Sequence, residues 1–374
     1  MQRLLLLLSV LCTLSARPAQ IQLAYNLAPA EAQVAIAHAA GIWEGILVSP
    51  VPIKVLVNWV PMGNTALGVT FPNGRRDFSG AIIPDTWYAT ALANALAGTE
   101  LNPGENDIDI FLNSQTDWYF GTDGNTPAGL QDLVSVALHE LGHGLGFVGL
   151  AKKTGTQGSF GLLQLSDFAP LFTTFPWPQL DTLPGIFDRF LDHPQDGPLE
   201  LLENPGDALG GAMTSNQLRW SGAHALEASG GTPVRIYSPG TFALGSSCVH
   251  LNESTYPAGN PNELMTPFSS AGNANHWPGP ICLGILKDIG WTLAPEVTVR
   301  ENAWIQVPAL HPNPVTDVLH LATSPGGSDP MLVLDAQGQV LRTLRAAPFI
   351  DLAGLAPGHY LLCHGPLRSA FIKL

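Results

Sequence analysis

Two histidines four residues apart constrain this chain most, because they lie in a short apolar segment, VALHELGHGLGFVG, at residues 136–149. On a helix, His139 and His143 would project from one face, close enough to hold a single ion. Glu140 follows the first histidine, where it could reach a water molecule on that ion without being a ligand. We therefore predict a helix over residues 132–145, with an aspartate near its start as the cap.

This H-E-x-x-H arrangement is typical of zinc sites, because neutral imidazoles bind Zn²⁺ and one position stays open for water. The metal lowers the pKa of that water to about 7, and Glu140 could then take its proton and pass it to a leaving amine. An accidental match on a surface helix is the alternative, and the apolar flank of the motif argues against it. A catalytic zinc normally has three protein ligands, so a third has to lie elsewhere in the chain.

The stretch HELGHGLGF resembles the extended zinc motif of the metzincin metallopeptidases, HExxHxxGxxH. Gly146 matches the glycine that ends the helix and turns the chain, but Gly149 stands at the third-histidine place. Leishmanolysin-like metzincins instead have a long insertion before the third histidine, which lies shortly before a methionine turn. The stretch SSCVHLNESTYPAGNPNELMTPF, residues 246–268, is similar to this second pattern. The resemblance implies that His250 is the third metal ligand and that the turn at Met265 underlies the metal site.

Other residues are alternatives for the third ligand. Asp167 lies about where thermolysin-like enzymes have a carboxylate ligand, but no helical pattern with a neighbouring glutamate accompanies it. His193, His224 and His276 lie in polar, turn-like surroundings, which favours exposed loop histidines. His38 lies on an alanine-rich helix and is expected to be structural. The histidine before the methionine turn is therefore preferred.

The metzincin resemblance implies an α+β fold with a zincin-like catalytic domain, in which a substrate lies extended beside an edge strand of the N-terminal sheet. Residues 107–112, DIDIFL, alternate like a strand with one wet face, and the stretch 107–113 is a candidate for that sheet. The implied function is that of a secreted zinc-dependent endopeptidase with protein or peptide substrates and one catalytic Zn²⁺. Pro267 stands where some metzincins have a tyrosine near the metal, so stabilisation of the oxyanion would have to come from the zinc and from other groups.

One alternative concerns the role of the zinc site. The chain could be a secreted binding or adhesion protein whose zinc site is structural or inactive. Glu140 argues against this alternative, because a purely structural site has no use for that carboxylate.

Residues 121–129, GTDGNTPAG, have the composition of a Ca²⁺ loop, although an ordinary turn before the helix is the favoured interpretation.

The N-terminus has the pattern of an export signal, with one basic residue, an apolar run from Leu4 to Leu14 and small residues up to position 19. This run is too short to span a bilayer, so we predict a signal peptide over residues 1–19 and no transmembrane segment in the mature chain. The formal net charge of −14, with only 12% charged residues, argues against nucleic acid as a partner. We expect a monomer that is exported through the periplasm and secreted or held at the cell surface.

Three cysteines would remain after a signal peptide containing Cys12 is removed. Cys248 and Cys282 could form a disulfide in an exported chain, or they could be two separate buried thiols. Cys363 would then be the odd cysteine.

Residues 20–296 form the predicted catalytic domain, in which helices and strands alternate. Helices are predicted at residues 28–47 and 86–97, and a strand is predicted at residues 53–60. Residues 150–245 lack clear periodicity, so we predict a loop-rich insertion with short helices there.

Residues 305–374 show short β-like runs separated by turns, which predicts a small all-β sandwich. The stretches LHPNPVTDVLHL and IDLAGLAPGHYLL, with the terminal AFIKL, resemble the C-terminal sorting domain of cargo of the bacterial type IX secretion system. The resemblance implies the type IX secretion machinery as a partner of this domain.

Overall fold

The computed structural model describes residues 17–63, 66–168, 181–294, 310–321, 330–335, 340–345, 347–364 and 367–374. The chain divides into two compact units, Met1–Pro295 and Glu296–Leu374. Helices and strands occur together in the first unit, and strands make up the described part of the second. The predicted mixed α+β class is therefore confirmed. Residues 1–16 of the predicted signal peptide, with Cys12, lie outside the described residues.

The secondary structure of the two units is as follows. The helices are α1 (Ala30–Ile46), α2 (Thr90–Ala97), α3 (Leu133–Gly144), α4 (Asp207–Ala212), α5 (Ala223–Ala228) and α6 (Pro280–Ile289), with 3₁₀ turns at Leu165–Phe168, Asp188–Phe190 and Leu199–Leu201. The strands of the first unit are β1 (Ile21–Asn26), β2 (Ile53–Val60), β3 (Gly68–Pro72), β4 (Gly74–Arg75), β5 (Tyr88–Ala89), β6 (Ile108–Asn113), β7 (Trp118–Tyr119), β8 (Gln131–Asp132), β9 (Ala151–Thr154), β10 (Gln157–Phe160), β11 (Leu191–His193), β12 (Gly197–Pro198), β13 (Arg219–Trp220) and β14 (Val234–Arg235). The strands of the second unit are β15 (Leu310–His311), β16 (Val318–Leu321), β17 (Met331–Leu334), β18 (Val340–Leu344), β19 (Phe349–Asp351), β20 (Gly358–His364) and β21 (Leu367–Lys373).

The main sheet of the first unit has the strand order β1–β2–β6–β3. Strands β1, β2 and β6 run parallel, and β3 pairs antiparallel with β6, so β3 forms one edge of the sheet. Helices α1 and α3 pack against each other, and Nε1 of Trp43 in α1 donates to the carbonyl oxygen of Leu138 in α3 at 3.0 Å. The side chains that α1 buries are mostly small, which allows this close approach: Ala32, Ala35, Ile36, Ala39, Ala40 and Trp43.

Helix α3 is buried along almost its whole length. It contains two glycines, Gly142 and Gly144, although glycine is unfavourable inside a helix. Asp132 caps it as predicted, because its carboxylate accepts a hydrogen bond from the backbone N–H of Ser135 at 2.7 Å. A Cβ atom built on Gly144 would lie 2.5 Å from the side chain of Ile108 in β6. Glycine at this position therefore lets the helix approach the sheet closely.

The predicted elements before the insertion are found within a few residues of their predicted bounds, with two differences. Helix α2 begins at Thr90, later than predicted, because the two residues before it form β5 and pair with β4. The prediction that β6 has one wet face is wrong, since Asp109 is its only partly exposed residue. Phe111 packs on Phe71 of β3, and Asn113 donates hydrogen bonds to loop carbonyl groups, so the second face is covered as well.

Residues 150–245 contain more strand than predicted. Strands β9 and β10 form a hairpin, and a separate sheet has the order β12–β11–β13–β14. The strands of this sheet are two or three residues long, which is too short to leave an alternating pattern in the sequence. The predicted short helices are present as α4 and α5.

The second unit contains two antiparallel sheets, with the orders β15–β16–β19 and β18–β17–β20–β21. Both sheets contribute to one apolar core, in which Leu319 and Ile350 come from the first sheet and Met331, Val333 and Phe371 from the second. Burial of alternate residues on β16 and β17 builds this core, as expected for a strand with one face inward.

Of the two alternatives for Cys248 and Cys282, the structure has separate buried thiols, and the disulfide is not formed. The Cys248 thiol faces the carbonyl oxygen of Met213 at 3.8 Å, and Cys282 lies on the buried face of α6. Cys363 is buried in the second unit. Within the described residues, no helix has both the length and the apolar character needed to cross a membrane.

Candidate metal centre

Three histidine side chains from two distant parts of the chain meet beside helix α3. His139 and His143 project from the same face of the helix, and His250 approaches from the segment before the methionine turn. Their Nε2 atoms are separated by 2.9 Å (His139 to His143), 3.1 Å (His143 to His250) and 3.3 Å (His139 to His250). The structure thus brings together the three residues that the sequence and the resemblance select as ligands.

The other ring nitrogen of each histidine is held by a backbone carbonyl. Nδ1 lies 2.6–2.9 Å from a carbonyl oxygen in all three rings, with Leu264 facing His139, Phe147 facing His143 and Ser246 facing His250. A carbonyl oxygen can only accept, so Nδ1 carries the proton and the neutral ring presents an unprotonated Nε2. Such contacts fix both the tautomer and the orientation of metal-ligating histidines.

Burial favours the neutral form of these rings. It lowers the pKa of His139, and burial together with the two neighbouring rings lowers the pKa of His143 well below its ordinary value. Burial and the nearby His139 lower the pKa of His250 to about 3. Neutral imidazole is the form that binds a metal ion.

The geometry of the three Nε2 atoms fits Zn²⁺. Nitrogens bound tetrahedrally at about 2.1 Å from zinc lie roughly 3.4 Å apart, slightly more than the separations seen here. The lone pairs of the three unprotonated Nε2 atoms repel one another when no proton lies between them. A metal cation bound at their centre would accept all three lone pairs and remove this repulsion. The donor set therefore suits a divalent metal ion with three imidazole ligands.

Two turns next to α3 orient the histidine rings. Gly146, two residues after the end of α3, has φ +112°, a backbone region that favours glycine, and the turn there brings the Phe147 carbonyl back to His143. Met265 is fully buried under α3, and a Cβ atom built on Gly142 would lie 2.9 Å from its sulfur. The carbonyl just before this methionine holds His139. The turn at Gly146 and the methionine turn thus each place one of the carbonyl groups that orient the histidines.

Glu140 lies between α3 and the edge strand β3. Thr70 donates a hydrogen bond from Oγ1 to Oε2 of this carboxylate at 2.7 Å. A Cβ atom built on Gly68 would lie 2.6 Å from Oε1, so the strand approaches the other oxygen closely as well. Burial raises the pKa of Glu140 to about 7, while the hydrogen bond from Thr70 acts in the opposite direction.

A cavity of about 730 Å³ opens beside the histidines, and Glu140 and all three rings line it. Residues 66–72, which include strand β3, form one wall. Strand β6, the sequence candidate for this sheet, is an inner strand and does not form that edge. Two backbone hydrogen bonds flank the pairing of β3 with β6. The Asn113 N–H donates to the Leu67 carbonyl, and the Asn73 N–H donates to the Asp107 carbonyl, so the odd-numbered residues on the β3 side bond toward β6. By this alternation, the main-chain groups of Gly68 and Thr70 point away from β6, to the edge of the sheet that is free among the described strands.

The alternative third ligands lie away from the triad. Asp167 lines the cavity but pairs with Lys152 at 2.7 Å. His276 lies 2.8 Å from Asp132, the cap of α3, and His193 is buried beside Asp196 at 2.6 Å. The expectation of an exposed loop residue is therefore wrong for His193, because its strand β11 lies inside the insertion sheet. His224 and His38 are exposed, the latter on α1.

The loop at residues 121–129 is organised as a turn. The Asp123 carboxylate accepts hydrogen bonds from the Tyr119 hydroxyl and the backbone N–H of Asn125. The histidine triad is the group that could hold a metal ion among the residues that the structure describes.

Sequence reasoning missed two residues near the site. Thr70 lies on a five-residue strand without clear alternation, so its contact with Glu140 leaves no pattern in the sequence. Asp188 is fully buried, and its Oδ2 accepts hydrogen bonds from the backbone N–H groups of Leu150 and Gly185, both at 2.8 Å. It lies in the insertion, where only the tertiary fold brings it to the turn that follows α3.

Comparisons with known proteins add one match. A family model described as SPBPB7E8-like matches residues 92–155, a segment that contains α3 with His139 and His143. The match covers less than half of the 374-residue chain, and its description names no activity. Neither the comparison with curated proteins nor that with solved structures gave a match.

Proposed function

We propose that this chain is a zinc-dependent endopeptidase of the metzincin type, with a zincin-like catalytic domain. The convergence of three neutral Nε2 atoms beside Glu140 carries the proposal. The proposed ligands are His139, His143 and His250, and the buried turn at Met265 supports them from below. The long insertion between the second and third histidine matches the leishmanolysin-like arrangement.

Each catalytic contribution is assigned to a group at the site. Zinc, when bound, supplies Lewis acidity toward a water molecule and toward a peptide carbonyl oxygen. The Glu140 carboxylate accepts the proton of the attacking water and delivers it to the amide nitrogen as the peptide bond breaks. Thr70 holds this carboxylate at the wall of the cavity, and Gly68 leaves room for it there. A purely structural zinc site would not need an acid–base group there, which disfavours the alternative of a binding or adhesion protein.

The free edge of β3 is the proposed place for the substrate backbone. Gly68 and Thr70 offer main-chain donors and acceptors along the cavity, and an extended peptide could pair with them as an added strand. Pro72 has no N–H group, so pairing would weaken at that end of the strand. This geometry favours unfolded or extended polypeptide segments as substrates.

Caseinolysis by the purified protein tests the proposal, measured with and without a chelator. Loss of cleavage in the chelator and in Glu140→Ala, with recovery of the wild type on addition of Zn²⁺, supports the enzyme. A wild-type protein that binds stoichiometric zinc and cleaves no peptide would instead support the binding protein.

We also propose that the protein is exported and that residues 305–374 serve as a type IX secretion sorting domain. The two-sheet core of this unit is compatible with such a domain. The test is the location of the chain in a type IX-competent host, with residues 305–374 present or deleted. Accumulation of both forms outside the cell would contradict the sorting role.

A further inference from the structure

Resting on the proposed function, we propose that Thr70 is a positioning residue that holds the Glu140 carboxylate on strand β3. The strand that receives the substrate backbone would then also fix the general base. The two roles belong to different atoms of the same residue: the hydroxyl group contacts Glu140, and the main chain points to the free edge.

One oxygen of the carboxylate is hydrogen-bonded to β3, and the strand passes close to the other. Oε2 accepts the hydrogen bond from Thr70 at 2.7 Å, and a Cβ atom at position 68 would lie 2.6 Å from Oε1, so only glycine leaves room there. Gly68 and Thr70 are two residues apart on one strand, so both face α3. Glu140 is 5% exposed but lines the cavity, so its carboxylate has another place to go if the hydrogen bond from Thr70 is lost. The general base is therefore fixed by β3 rather than by its own helix alone.

The side chain and the main chain of Thr70 can be separated by mutation. Thr70→Val keeps the shape and the strand preference of the residue but removes the hydroxyl donor. Thr70→Ser keeps the donor and loses a methyl group. Neither variant changes the main-chain groups at the free edge, and neither touches a proposed zinc ligand.

Steady-state peptide cleavage and zinc content are measured for both variants. We expect kcat of Thr70→Val to fall about 10- to 100-fold, the size expected for a lost hydrogen bond to a charged group, with KM and zinc content unchanged. Thr70→Ser should restore most of this loss. Crystal structures of the chelator-treated wild type and Thr70→Val provide a second readout, in which the Glu140 carboxylate should leave β3 only in the variant.

The positioning role is overturned if Thr70→Val retains wild-type kcat with an unmoved carboxylate, or if Thr70→Ser loses as much kcat as Thr70→Val. A wild-type protein that cleaves no peptide would instead contradict the endopeptidase proposal. In that case the two crystal structures still decide whether Thr70 holds Glu140.

Discussion

Asp188 is a fully buried carboxylate that the proposed chemistry does not use. Burial raises its pKa to about 7 from an ordinary value of 3.8, although two backbone N–H groups bond to it. Because the folded-state pKa is the higher one, the folded protein binds this proton more tightly than the unfolded chain. The contribution of Asp188 to stability is therefore complete below about pH 4 and is lost as the pH rises to about 7.

Comparison of the metal-free wild type with Asp188→Asn isolates this effect from that of the buried histidines. Relative to the variant, the wild type should lose up to about 4 kcal/mol of unfolding free energy between pH 4 and pH 7. Urea unfolding across this pH range measures the difference. A difference that does not depend on pH would contradict the raised pKa.

The choice of His250 over Asp167 as third ligand is also testable at single residues, because both side chains line the same cavity. His250→Ala should weaken zinc binding by more than about 100-fold, which exceeds the usual effect of losing a residue that only hydrogen-bonds to a metal ligand. Asp167→Ala should leave zinc affinity unchanged, since this carboxylate pairs with Lys152. Competition with a chromophoric chelator gives both affinities, and the reverse result would make Asp167 the ligand.

The turn after α3 is the element that links chain conformation to metal affinity. Gly146 has φ +112°, and a side chain there strains the turn that presents the Phe147 carbonyl to His143. We expect Gly146→Ala to lower stability by about 1–2 kcal/mol and also to weaken zinc binding. Urea unfolding and zinc titration measure the two effects.

Gly155, in the β9–β10 turn, provides the matched control. It also has a positive φ, +61°, and a Cβ atom there would meet nothing within 4 Å. Gly155→Ala should therefore lower stability, though by less than Gly146→Ala, with unchanged zinc affinity, because a Cβ atom on Gly146 would also lie 3.1 Å from Ile289. Equal losses of zinc affinity in the two variants would mean that general destabilisation, rather than the turn, controls binding.

Long, periodic elements were predictable, and short or edge elements were not. The bounds of β2 and the Asp132 cap of α3 follow from local residue pattern. Strand β3 has four partly exposed residues out of five, so neither alternation nor an apolar run marks it as the edge of the sheet. The meeting of His250 with α3 depends on the fold of about a hundred intervening residues, and only the family resemblance pointed to it.

At the scale of the whole chain, each unit has its own apolar core. We therefore expect a protein ending at Pro295 to fold and to keep the zinc site, because the triad and the described walls of the cavity belong to the first unit. Calorimetry of the full chain should show two unfolding transitions, of which the truncated protein keeps one. Loss of zinc binding on truncation would show that the second unit supports the site.

The carbonyl groups that hold the three histidine rings have a consequence for divergence among related chains. Every amino acid carries a peptide carbonyl, so no substitution at positions 147, 246 or 264 can delete these acceptors. Ring orientation therefore does not depend on which side chains stand there, although Phe147 and Leu264 are buried in the core and packing still requires apolar residues of similar size at these two positions. Distant homologues would then preserve the spacing of these carbonyl groups and the apolar character of the buried positions, and insertions or deletions in these turns would be the changes that selection removes.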